Sequence, residues 1–182
     1  MQFKDIIKFA VLITTLLFIQ GCVNLASDPR TSGTIVEDQA IELKISNRIQ
    51  ADKTLKNRVR INITSYDNNV LLTGEALTEE LRKRVIEHAS KVIKVEEIYN
   101  EIAVMPLSSF KVRNNDAWIT TKIKTKLFND KGLGTFHTKA VTDRGIVYLM
   151  GLVTRKEADI VTDIVRRIKG VKRVVRVFEY QD

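Results

Sequence analysis

The feature that most constrains this chain is that it contains the same unit twice. "DQAIELKISNRI" (Asp38 to Ile49) aligns with "DAWITTKIKTKL" (Asp116 to Leu127) at an offset of 78 residues. Ile41, Ile45 and Ile49 fall on Ile119, Ile123 and Leu127, and a four-residue spacing places each trio on one face of a helix. "NVLLTGEALTEE" (Asn69 to Glu80) aligns with "IVYLMGLVTRKE" (Ile146 to Glu157), which brings Gly74 onto Gly151. "KVEEIYNEI" (Lys94 to Ile102) aligns with "GVKRVVRVF" (Gly170 to Phe178). Three blocks repeated in the same order mark an internal duplication.

Each copy reads as the same succession of elements. A first helix over 36–51 or 115–128 leads to a strand with alternating apolar residues, Val59, Ile61 and Ile63 in the first copy. Tyr66-Asp67-Asn68-Asn69 and Thr142-Asp143-Arg144-Gly145 read as hairpin turns. A second strand, 70–73 or 146–150, ends at the aligned glycine, which suits a sharp change of direction. Thr78 and Thr154 are candidate caps for a second helix, whose buried face in the first copy is Leu81, Val85, Ala89 and Val92. A last strand over 95–104 or 171–180 closes the unit. The expected fold class is α/β of the α+β type. It comprises two tandem αββαβ domains, each with two helices on one face of a three-stranded mixed sheet.

The division of the chain follows. Residues 34–104 form domain 1 and residues 113–182 form domain 2. A linker over 105–112 joins them, within a connector that runs from Met105 to Asn114 and carries Pro106 and Ser108-Ser109. With 44% hydrophobic and 29% charged residues and only two prolines, the composition is that of a folded chain. Charge is shared unequally. Residues 34–110 carry eleven basic and twelve acidic groups, whereas residues 111–182 carry sixteen and eight, so the whole excess of +8 belongs to the second half. A positive surface attracts nucleic acid or anionic membrane equally at this level of description.

The amino-terminal segment decides between those two. Phe9 to Ile19 is an apolar run of eleven residues after a weakly basic start, the length of a secretory signal core and short of the roughly 20 residues that span a bilayer. Cys22, the only cysteine, has no second thiol for a disulfide or a shared metal. Ile19-Gln20-Gly21-Cys22 resembles the lipobox of bacterial lipoproteins, with Gln20 in place of the commoner small residue. A plain signal peptide with a chance cysteine, or a signal anchor, are the other readings. The lipobox resemblance implies a signal peptide over 1–21, lipidation (palmitate included) at Cys22 and a polar tether over 22–33. Val23 rather than aspartate after the cysteine then implies transfer to the outer membrane. Export excludes nucleic acid as a routine partner.

The repeated unit resembles the BON domain, whose last segment typically reads Gly-Val-x-x-Val-x-Asn. The second copy keeps Gly170-Val171 and Val174 but has Arg176 for the asparagine. The first has Lys94 for the glycine and keeps Val95, Ile98 and Asn100. A lipobox followed by two such domains is similar to the dual-BON outer-membrane lipoproteins. That resemblance implies a periplasm-facing, lipid-anchored protein that binds anionic, phosphatidylglycerol-like phospholipid through domain 2. It also implies association with the division site and support of envelope integrity.

The residues make their own case for one helix. With Ile119, Ile123 and Leu127 facing the core, Trp118 lies about 140° from the centre of that face. Near it are Thr121, Lys122 and Thr125, with Lys126 and Phe128 at the flanks. An indole among lysines suits the headgroup zone of a membrane, where the ring stays half wet and ammonium groups meet phosphate. The first copy has Ala40 at the position of Trp118. Packing of Trp118 against domain 1 or against Met105-Pro106-Leu107 is the alternative. Arg166, Arg167, Lys169, Lys172, Arg173 and Arg176 form a second basic cluster, which also reads as a solvated face at a helix C-terminus. His88 and His137 lie in different copies without partners at metal-ligand spacing. No phosphate loop, nucleophile triad or paired carboxylates stand out, so neither an enzyme nor a cofactor is expected. Two classes of function remain: an anionic-lipid-binding module, or a protein-interaction adaptor for assembly machinery.

Overall fold

The computed structural model describes residues 30–129 and 138–181. Helix α1 (Ser32–Ala51), strands β1 (Val59–Tyr66) and β2 (Asn69–Ala76), helix α2 (Glu79–Ser90) and strand β3 (Ile98–Val104) make the first unit. Helix α3 (Phe110–Asn129), strands β4 (Thr138–Asp143) and β5 (Ile146–Val153), helix α4 (Arg155–Arg166) and strand β6 (Arg173–Tyr180) repeat it. In each sheet an antiparallel hairpin carries a third strand parallel to its second member, giving the orders β1-β2-β3 and β4-β5-β6. This is the αββαβ pattern twice, an α+β fold with mixed sheets.

Local chemistry sets the boundaries. Thr31, Thr78 and Thr154 cap α1, α2 and α4, each hydroxyl accepting a backbone N–H of the first turn. Glu157 completes a capping box by taking the Thr154 N–H at 2.8 Å. Helix α3 begins at Phe110, inside the stretch that composition marks as connector. Ser109 stands just before it, its hydroxyl 3.5 Å from the Val112 N–H. Helix α1 likewise starts at Ser32, four residues before the expected start at 36.

The hairpin turns have two central residues at positive φ, Asp67 (48°) and Asn68 (66°) in the first and Arg144 (52°) and Gly145 (79°) in the second. That is the mirror-image turn whose twist matches a hairpin. The second turn lies one residue further on than its sequence suggests, because Asp143 pairs with Ile146. Both turns are held from the helix before them. Asp38 is buried and accepts the N–H groups of Asp67 and Asn68, each at 3.1 Å, and the Ser65 hydroxyl at 2.7 Å. Its repeat partner Asp116 accepts the N–H of Arg144 at 2.8 Å and of Gly145 at 2.9 Å.

Each unit has a core between its helices and its sheet. Ile41, Ile45, Val70, Leu72, Val85, Ala89 and Ile102 fill the first, and Ile119, Ile123, Val147, Leu149, Val161, Val165 and Phe178 the second. Burial of each large aliphatic side chain contributes about 1.5–3 kcal/mol. A third apolar layer joins the units: Tyr66 and Leu71 of sheet one meet Tyr148, Met150 and Val177 of sheet two. The sheets therefore stack through the faces their helices leave open. The described residues thus stack as helix–sheet–sheet–helix layers, with one side of each helix, α3 included, turned outward.

Candidate functional site

Helix α3 has an inner and an outer side. Asp116, Ile119 and Ile123 are buried, while Trp118 is 62% exposed and Phe128 78% exposed. Trp118 thus packs neither on domain 1 nor on the linker, although removing an indole from water is strongly favourable. Thr121 and Thr125 are exposed between the two rings, the Thr121 hydroxyl donating to the Ala117 carbonyl at 3.0 Å. Lys126 is exposed on the same helix. Lys122 is half-buried and donates to the backbone carbonyl of Lys169, in the loop that follows α4. Phe110, at the amino end of α3, adds a third exposed ring beneath the Arg113 guanidinium. The residues read from the sequence as one face, Trp118, Thr121, Lys122, Thr125, Lys126 and Phe128, are therefore together on α3. Cys22, the signal region, most of the tether and His137 lie outside the described residues.

The second basic cluster is divided. Arg166 and Arg167 lie 3.1 and 3.7 Å from Asp163, and Arg176 lies 2.8 Å from Asp159. Such exposed pairs contribute little stability and leave the cations accessible. Between α3 and the end of α4 runs a groove of about 350 Å³ lined by Lys122, Lys126, Ile164, Arg167 and Ile168.

A larger cleft of about 510 Å³ lies at the junction of the domains, with Arg60, Thr73, Glu75, Ser108, Asp116 and Asp143 in its walls. Its polar groups hold the two units together. The fully buried Glu75 accepts from Arg144 at 2.8 Å, and Arg144 also donates to the Pro106 carbonyl at 2.9 Å. Arg60 and Arg113 both donate to the Ser108 carbonyl. Burial, with Glu75 and Asp116 nearby, raises the Asp143 pKa above the ordinary carboxylate value. At the other end of the interface Asn69 donates to Glu179 at 2.6 Å, and Lys139 donates to the Ser65 carbonyl at 2.6 Å. Burial, helped by Glu101, pushes the Tyr148 phenol to about 12. None of these contacts was legible in the sequence, yet a signal for the interface was present. Strand β5 reads "IVYLMGLV", a nearly continuous apolar run, which marks a strand covered on both faces.

His88 has a partner that spacing did not reveal. Its Nε2 lies 2.8 Å from Asp52 Oδ2, and Arg84 donates to the same oxygen. Those two bonds, with a third from the Thr54 hydroxyl, hold the Asp52 carboxyl far below the usual range. Among the described residues no group of three or more His, Cys, Asp or Glu side chains is placed to hold a metal ion.

Comparison with known proteins adds the family. The BON-domain model matches residues 37–106 and again 115–182. Over 193 aligned positions the chain is 35% identical to the outer membrane lipoprotein DolP of Haemophilus influenzae, covering all of both chains. It is 34% identical over 153 residues to a 21 kDa hemolysin of Actinobacillus pleuropneumoniae, covering 84% of this chain and 79% of that one. A protein of Anaplasma centrale encoded in a gshII 5′ region is 30% identical over 142 residues, covering 77% of this chain and 92% of the relative.

Proposed function

The chain belongs to the BON-domain family, and from that premise we propose that it is an outer-membrane lipoprotein that binds anionic phospholipid through the outer face of α3. Full-length similarity to an outer-membrane lipoprotein supports the anchor at Cys22 and a location on the outer membrane, facing the periplasm. The family and the relative's name also favour a binding protein over an enzyme.

The observation that carries the lipid reading is the outer face of α3. Trp118 and Phe128 stand in solvent on a helix that also carries Lys122 and Lys126. Exposed rings beside cations cost hydration in a free protein, and they are the pair of features that the headgroup layer rewards. Each lysine at an anionic surface contributes about 1 kcal/mol.

Chain length supports engagement of a single bilayer by anchor and face together. Arg30 is tied to Asp38 at 2.7 Å and lies over the Tyr66 ring, level with the interface between the sheets. From that level to the outer surface of α3 is about 20 Å, taking roughly 10 Å between sheets and a similar helix diameter. The eight steps from Cys22 to Arg30 reach at most about 29 Å. Attachment through one group therefore raises the local concentration of the other at the same membrane.

The test is binding of the two-domain protein to phosphatidylglycerol vesicles, with phosphatidylcholine vesicles as control. Trp118→Glu removes apolar area and adds a repelling charge at an exposed position, so binding falls sharply while the fold persists. Lys122→Glu weakens it less, and added salt reproduces that loss. A folded Trp118→Glu protein that binds like the parent would remove α3 as the lipid site and favour the adaptor reading, in which the same face meets an assembly protein. Such a link, and the roles in division and envelope integrity, are consequences to be tested in cells carrying the same variant.

A further inference from the structure

The groove between α3 and α4 differs from its counterpart in domain 1 in a way that points to a ligand. The buried residues Val85 and Ala89 of α2 occupy the places of Val161 and Val165 of α4. On that register Arg84, His88 and Val92 of domain 1 correspond to Ile160, Ile164 and Ile168 of domain 2. In domain 1 the corresponding pocket, of about 460 Å³, carries its own anion, because Arg84 and His88 both hold the carboxylate of Asp52. In domain 2 the two polar positions are isoleucines, one turn apart, and the second of them, Ile164, lines the groove with Ile168, both partly buried. Cations stand over this apolar strip: Lys122 and Lys126 from α3, and Arg167 from the end of α4.

Resting on the lipid reading above, we propose that this groove seats the phosphoglycerol head and first acyl carbons of one anionic phospholipid. Trp118, Lys122 and Lys126 are spaced four apart on α3, so the ridge that meets the membrane continues into the groove. The Lys122 ammonium has three donors, of which the Lys169 carbonyl takes one, leaving two for phosphate oxygens. Arg167 offers a planar fork suited to the same group. The C-terminal end of α4 carries about half a negative charge from its dipole, which three cations outweigh. A bare anion would gain nothing from Ile164 and Ile168, whereas acyl carbons would cover them. A choline head would bring its own cation against these three. The occupant is thus a lipid with net negative charge, bound one per domain 2 rather than as diffuse surface charge.

The test uses the mature chain carrying Cys22→Ser, with isoleucine methyl groups labelled for NMR. Dihexanoyl phosphatidylglycerol, kept monomeric, is expected to shift the Ile164 and Ile168 methyls saturably. Dihexanoyl phosphatidylcholine should act at least tenfold more weakly, and glycerol 3-phosphate should not act at the same concentration. Arg167→Glu and Lys126→Glu change exposed side chains, and each should weaken the response on the order of tenfold. Unmoved isoleucine methyls, an equal response to phosphatidylcholine, or glycerol 3-phosphate binding as well as the lipid would each overturn the groove. The vesicle assay separates this outcome from the broader reading. Loss of binding in Trp118→Glu with unmoved methyls removes the groove and keeps the membrane face.

Discussion

Domains 1 and 2 have one architecture and two different outer surfaces, and the division between what they share and what they do not is physical. Shared are the positions whose partners lie inside the unit. Ile45 and Ile123 fill the two cores, Asp38 and Asp116 hold the two hairpin turns, and Thr78 and Thr154 cap the second helices. Divergent are positions nearer the surface, where Ala40 stands against Trp118, and where Arg84 and His88, which hold Asp52, stand against Ile160 and Ile164. A duplicated fold holds its interior fixed because a core tolerates little change in volume. Its surface carries no such restraint, and in domain 2 that freedom has gathered both cations and rings on α3.

The comparison is broken most strongly at the core. Ile45→Ala and Ile123→Ala, both fully buried, should each cost about 2–5 kcal/mol through lost transfer energy and the cavity left behind. Because Tyr66, Leu71, Tyr148 and Met150 form a layer common to both units, the two variants should lower one shared transition. Urea melts followed by NMR signals from each domain check this. Two separate transitions, each lowered by only one variant, would show domains that are stable alone.

A smaller effect is expected at the turns. Asp38→Ala removes a buried carboxylate with bonds to Arg30, Ser65, Asp67 and Asn68, and should cost about 3 kcal/mol. Asp116→Ala unpairs two backbone N–H groups and should cost about 1–2 kcal/mol. Equal losses in thermal melts would mean that the richer network of Asp38 adds nothing beyond its two turn bonds.

These examples show how far the sequence could be read. The duplication, the core trios and the capping threonines were legible because each is a local spacing that a helix or strand turns into a face. The duplication even aligned Asp38 with Asp116, though not what they do, since their partners lie 27–30 residues onward. The pairing of the two sheets was not legible either. Nothing in "NVLLTGEA" or "IVYLMGLV" states which surface covers the second face of each strand. The outer face of α3 was found because Trp118 breaks its apolar periodicity. The groove beside it was missed because Ile164 of α4 and Ile168 of the loop after it look like any other apolar residues.

Acid sharpens the contrast at the grooves. The Asp52 carboxyl is held below its ordinary value of 3.8, chiefly by Arg84 and then by His88. A depressed carboxylate contributes stability that is fully present above the unfolded value and is lost as pH falls toward the native one. Asp52→Asn should therefore lower the melting temperature at pH 7. The gap between variant and parent should close as the pH is taken below about 4. A gap that persists unchanged at pH 3 would mean that Asp52 acts through packing rather than charge.

The smallest expected effect concerns the turn that leads into the last strand. Gly170 adopts φ 106°, and its counterpart Lys94 adopts φ 75°, a left-handed conformation that costs a residue with a Cβ about 1–2 kcal/mol. Lys94 also forms an ion pair with Glu37 at the surface. An exposed pair of this kind contributes a few tenths of a kcal/mol. Lys94→Gly relieves the backbone and loses the pair, and the added freedom of glycine in the unfolded chain offsets part of the gain. The net should be a stabilisation of about 0.5 kcal/mol, read as a small rise in the urea midpoint with an unchanged slope. Lys94→Asn, which keeps a Cβ but tolerates the left-handed region, should fall between the two. If Lys94→Gly instead destabilises, the Glu37 contact outweighs the backbone strain, and domain 1 has exchanged the glycine for a lysine that ties its first helix to the turn before its last strand.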